Sequence, residues 1–96
     1  MMKKEMILDS TRRYLERIFE EFPEEAYKTV RILLKGSKNN RKLEIFVDKK
    51  GGVTIDDCVM ITRKLSKYID NDENFDEHFI LEISSPGEFG NKDKEA

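Results

Sequence analysis

Cys58 and His78 are the only cysteine and histidine in this 96-residue chain. A thiol and an imidazole could make a nucleophile and its base. No third group is spaced to orient the histidine, which falls at a strand start. Cys58 stands beside Val59 and Ile61 in an amphipathic run, where cysteine packs as a small apolar residue. One cysteine and one histidine also fall short of a zinc ligand set. The acidic run Asp70-Asn71-Asp72-Glu73-Asn74 invites a calcium reading. An EF-hand loop starting at Asp70 needs glycine sixth and glutamate twelfth, and Phe75 and Leu81 occupy those places. Gly51-Gly52 matches neither phosphate-loop pattern nor the GXXG loop of a KH module. These glycines read as conformational permission for a tight turn. No catalytic, metal or cofactor site is expected, and binding becomes the chemistry to look for.

Three features could bind. Lys35, Lys38, Arg41, Lys42, Lys49 and Lys50 crowd positions 35–50 against Glu44 and Asp48 alone. Such a tip could contact phosphate through counterion release. The competing reading is a solvated hairpin whose lysines guard against edge pairing. A second candidate is a sheet face carrying Leu33, Phe46 and Ile80, with Arg31, Lys42, Glu44 and Glu82 around them. An apolar centre with a charged rim is a docking pattern, although three scattered apolar side chains are also ordinary surface. Arg63, one position from the inward Thr62, is either a charged contact or a solvated helix residue.

The elements that carry these residues follow from periodicity. Ile7, Tyr14, Leu15, Ile18, Phe19 and Phe22 recur at helical steps over residues 3–22, and Pro23 marks the stop. Tyr27–Lys35 reads as a strand with Val30, Ile32 and Leu34 on one side and Thr29, Arg31 and Leu33 on the other. The turn formers Gly36–Asn40 lead into a second strand, Arg41–Asp48, with Leu43, Ile45 and Val47 inward. Thr54 and Asp57 have the spacing of a capping box. The helix they open runs over Ile55–Ile69 with Cys58, Ile61, Thr62, Leu65 and Ile69 inward. An acidic loop, Asp70–Glu77, precedes a third strand, His78–Ser84, closed by Ser85-Pro86-Gly87. The expected fold is a small single domain of the α/β (α+β) class, ordered α-β-β-α-β. It has a three-stranded mixed sheet with two helices on one face and a right-handed crossover. The first strand is expected at the centre. Residues 1–87 form the domain, and residues 88–96 read as a polar, disordered tail.

Composition bounds the partners. A net charge of −2 with 40% charged residues gives no overall pull toward nucleic acid or membrane, so RNA contact needs a local patch. No apolar run is long enough to span a bilayer. No signal-peptide pattern follows Lys3-Lys4, and a lone cysteine suits a reducing cytoplasm.

The wording of residues 47–87 goes beyond what local physics requires. Val47, Asp48, Gly51, Gly52, Val53, Thr54, Asp57 and Cys58 come first. Thr62, Arg63, Leu65, Ser66 and Asp70 follow, and Ile83, Ser84, Ser85, Pro86 and Gly87 close the series. In this order the chain resembles the N-terminal domain of the bacterial ribosome maturation factor RimP, over roughly residues 5–87. The resemblance implies a non-enzymatic assembly factor that binds the immature small (30S) ribosomal subunit in the cytoplasm, touching ribosomal protein and rRNA. Its candidate contacts are Leu33, Phe46, Ile80, Arg31, Lys42, Arg63, Lys49, Lys50, Ser84 and Ser85. The family continues after Gly87 into a small β-barrel domain, whereas this chain reads Glu88-Phe89-Gly90 and a polar stretch. A separate barrel domain is therefore a possible partner. The alternative function is a stand-alone protein-interaction domain that has lost ribosome binding.

Overall fold

The computed structural model describes residues 4–37, 40–75 and 79–85. Its elements are α1 (Lys4–Glu20), β1 (Lys28–Lys35), β2 (Arg41–Asp48), α2 (Ile55–Asp70) and β3 (Phe79–Ser84), with a 3-10 turn at Pro23–Glu25. The α-β-β-α-β order, the mixed three-stranded sheet and the helices on one face all agree with the sequence-based reading. The expected tail at 88–96, the Pro86-Gly87 turn, Lys38 and His78 lie outside the described residues.

Alternation along β2 sets the core. Leu43, Ile45 and Val47 are fully buried under the helices and meet Ile7, Leu15, Ile18, Ile61 and Leu65. β1 pairs antiparallel with β2, and β3 pairs parallel to it, with α2 as the crossover. The sheet order is therefore β1-β2-β3. This corrects the expectation of a central first strand. β2 is the strand whose inward residues are all fully buried, as a centre requires. β1 carries a register shift between Thr29 and Arg31 that leaves Val30 48% exposed. A bulge of this kind belongs at a sheet edge. It also reverses the facing of the residues before it. Thr29 lies opposite the inward Val47, so Val30 does not join Ile32 and Leu34 on the core side.

The local stops are chemically legible. α1 ends ahead of Pro23, and Ala26 takes a left-handed φ of 55° to close the 3-10 turn. Gly36 and Gly51 have φ of 92° and 85°, a region that L side chains avoid. Their surroundings differ. A Cβ on Gly36 would stand 2.0 Å from the Asn40 carbonyl oxygen, whereas one on Gly51 would meet nothing within 4 Å. Gly51→Ala is therefore expected to cost about 1 kcal/mol from conformation alone, and Gly36→Ala about 2–3 kcal/mol. Urea titration of the two variants side by side checks the order.

Candidate functional site: the outer sheet face and the Asp57 junction

The face of the sheet away from the helices is arranged in three cross-strand rows. Lys35, Lys42 and Ile80 form one; Leu33, Glu44 and Glu82 form the next; Arg31, Phe46 and Ser84 form the third. Leu33, Phe46, Ile80, Arg31, Lys42 and Ser84 thus share the surface that the alternation predicts. The expected apolar centre is not what the register makes. Glu44 holds the middle, with Lys35 at 3.2 Å and Lys42 at 3.5 Å, and Lys42 reaches Glu82 at 2.7 Å. Phe46 and Ile80 stand in the outer rows, with the Glu44 row between them. Alternation assigns a face, but only register says which residues touch.

These ion pairs set the electrostatics. Lys35 first, with Lys42, holds the Glu44 carboxyl below its usual range, and Glu82 raises the Lys42 ammonium. Lys35 and Lys42 are therefore engaged within the face. Arg31 is exposed and makes no ion pair among the described residues. It sits directly across from Phe46. Arginine and aromatic residues are both enriched at protein interfaces, and arginine is among the residues that dominate their binding energy.

The remaining candidates lie elsewhere. Arg63 is exposed on α2, in the helix layer on the opposite side of the sheet, where it lines a hollow with Ile55 and Val59. Lys50 is exposed at the turn after β2, and Ser85 is buried. Cys58 is half-buried, and burial followed by the Asp57 charge pushes its thiol pKa up. That makes it a poorer nucleophile.

Lys49 belongs to a junction that sequence reasoning missed. Its Nζ lies 2.6 Å from Glu25 and 2.9 Å from Asp57, with Lys49 14% and Asp57 12% exposed. The ammonium also stands 5.3 Å from the Tyr27 ring centroid. Tyr27 donates its hydroxyl to Asp57 at 2.6 Å, and its ring stacks on Phe19. Asp57 meanwhile completes the capping box: it accepts from the Thr54 N–H at 2.8 Å, and its own N–H donates to the Thr54 hydroxyl at 3.1 Å. One carboxylate thus fastens the start of α2 to the start of β1 and the end of β2. Burial alone would raise Asp57, but the hydrogen bonds from Tyr27, Lys49 and Thr54 outweigh it and hold the carboxyl well below its ordinary value. Burial first, and then the bond to Asp57, push Tyr27 up to about 12. The Thr54–Asp57 spacing was visible as a cap, but no spacing rule connects Tyr27 and Lys49 to it. Tyr27→Phe is expected to cost about 1.5–3 kcal/mol, the range for a hydrogen bond to a charged group. Thermal melts at neutral pH check it.

A family model described as the RimP N-terminal domain matches residues 17–88. The chain belongs to the RimP N-terminal domain family. In this RimP domain the matched span takes in the end of α1, all three strands, α2, the whole Asp57 junction and the complete outer face. The family is that of a ribosome maturation factor, which turns attention to surfaces able to meet a ribosomal subunit. Among the described residues no group of His, Cys, Asp or Glu could hold a metal ion, and no helix is long and apolar enough to cross a membrane.

Proposed function

We propose that this RimP domain is a non-catalytic binding module for the immature 30S subunit, acting in the bacterial cytoplasm on ribosomal protein and rRNA together. Family membership over residues 17–88 is the observation that carries the reading. The outer sheet face supplies the surface, with Arg31 and Phe46 as its anchors and Leu33, Ile80, Lys42 and Ser84 around them. Lys50 is exposed at its turn and can add a phosphate contact. Lys49 acts through the fold, since both its acidic partners lie inside the domain. Arg63 and Ser85 are secondary to the sheet face in this reading. A module that binds precursor better than mature subunit favours a productive conformation by that difference in affinity. Co-sedimentation with precursor and mature 30S particles tests the proposal. Saturable binding that is tighter to precursor particles is expected, and equal or absent binding to both would overturn it.

The second reading, a stand-alone protein-interaction domain, rests on the same face. The ion pairs around Glu44 leave the face near neutrality, which suits a protein surface as well as an RNA one. A separate barrel domain is one such partner. Retention of a ribosome-free partner by Leu33, Phe46 and Ile80, with no 30S binding, would favour it.

A further inference from the structure

The helix layer carries cations that the fold leaves unengaged. α1 and α2 run antiparallel across it: Tyr14 stacks on Tyr68 with ring centroids 4.8 Å apart, and Glu21 meets Lys64 at 2.8 Å. Between the helices Lys64, Lys67, Tyr68 and Asn71 of the α2 side line a groove of about 320 Å³ with Glu21. Arg17 stands one helical turn from both Tyr14 and Glu21, so it occupies the α1 wall between the two crossings. Most acids nearby are committed or turned away. Glu21 is bonded to Lys64, and Asp72 accepts from the Tyr14 hydroxyl and the Asn74 N–H. Glu16 and Glu20 face the hollow on the β1 side of α1, and Asp70 is exposed at the end of α2. Arg17, Lys67 and Arg63 are exposed and make no ion pair among the described residues. The Tyr68 hydroxyl and the Asn71 amide have no hydrogen-bond partner among them either. The last turn of a helix favours a cation, which accounts for Lys67 but not for Arg63 in mid-helix. Like charges four residues apart repel, so the Arg63–Lys67 pair does not serve the stability of α2.

We propose that the groove between α1 and α2 holds the phosphate backbone of an RNA strand, with Arg17 and Lys67 on its two walls and Arg63 on the neighbouring phosphate. Four residues of helix rise about 6 Å, close to the spacing of successive phosphates along a strand, so Arg63 and Lys67 match consecutive phosphates. The Tyr68 hydroxyl and the Asn71 amide supply the neutral donors that phosphate and sugar oxygens take up. Charge complementarity calls for a polyanion; the choice of RNA over an acidic protein rests on the ribosomal reading above. The assignment divides the work between the two sides of the sheet. On the outer face Lys35 and Lys42 are committed to Glu44 and Glu82, which leaves that face to protein. The helix layer keeps its cations for RNA.

Filter binding of deproteinised 16S rRNA between about 50 and 200 mM salt tests this, with folding of each variant checked by circular dichroism. Arg17→Gln/Lys67→Gln is expected to flatten the slope of log affinity against log salt by about 1.5, since each lost phosphate contact removes roughly 0.7–0.9. The charge-matched Arg12→Gln/Lys28→Gln, whose residues line the hollow on the far side of α1, should keep the wild-type slope. An equal loss in that control overturns the proposal, because binding would then follow net charge. So does rRNA binding that the groove variant leaves intact, or no binding by the wild type at about 50 mM salt. Polyglutamate held through the groove as tightly as rRNA would overturn RNA as the occupant. The same proteins on precursor 30S particles separate this inference from the reading it rests on. A wild type that binds free rRNA through the groove but not the particles contradicts the ribosomal function alone. Particle binding with an unchanged salt slope in the groove variant contradicts the groove alone.

Discussion

Asp57→Ala is expected to lower the unfolding free energy by about 3–4 kcal/mol, a large share of what a domain of this size holds. The loss has three sources. The reciprocal half of the capping box goes, because the Thr54 N–H loses the Asp57 carboxylate while the Thr54 hydroxyl keeps its bond from the residue-57 N–H, at up to about 1 kcal/mol. The Tyr27 hydroxyl loses its acceptor, and Lys49 keeps Glu25 alone while remaining mostly buried, a situation that costs more than an exposed pair would. Asp57→Asn should lose less, because the amide oxygen can still accept from the Thr54 N–H while failing to neutralise Lys49. Denaturant titration of the three proteins separates the contributions. The pH dependence has a definite sign at each end. The Asp57 carboxyl is depressed in the fold, so its stabilisation is present above the unfolded value near ~3.9 and fades as pH falls below it. The raised Tyr27 contributes stability below its unfolded value near ~10, which is lost as pH rises toward its folded value of about 12. Asp57→Ala should therefore flatten the acid limb, and Tyr27→Phe the alkaline one.

Ile45→Ala is expected to cost about 4 kcal/mol, near the upper end for a truncated core aliphatic. Ile45 is fully buried on the central strand, with Ile32 opposite it on one side and Ile83 on the other. Its neighbour Phe46 points to the outer face, and Phe46→Ala should cost about 1 kcal/mol because that side chain is only half-buried. Urea midpoints measured on the pair check the facing of β2 directly. The contrast also has a practical consequence, since it leaves Phe46 available as a binding variant in a folded protein.

These two cases mark how far the fold was legible in the sequence. Leu43, Ile45 and Val47 alternate without interruption, so β2's span and facing could be read from period alone. The Thr54–Asp57 cap and the two-glycine turn were equally local. Strand order was not, because it depends on which strand tolerates an edge. The deciding feature, the bulge at Val30, is a property of pairing rather than of β1's own residues. The outer face was legible as a set of residues but not as an arrangement. Register put Glu44 and its lysines in the middle and drew Phe46 and Ile80 apart. Lys49 shows the same limit, since a lysine in a basic run looks solvent-directed until Glu25, Tyr27 and Asp57 are brought around it.

The central claim is that the outer sheet face meets the small subunit, and an Arg31→Ala/Phe46→Ala double variant tests it most directly. Its affinity for precursor 30S particles should be measured beside the wild type at low and at physiological salt. The variant is expected to stay folded and to bind at least about tenfold more weakly at both salt concentrations, since an arginine and an aromatic that anchor an interface each contribute on the order of 1–2 kcal/mol or more. Wild-type affinity in the folded variant would contradict the account and move the contact to another surface of the domain.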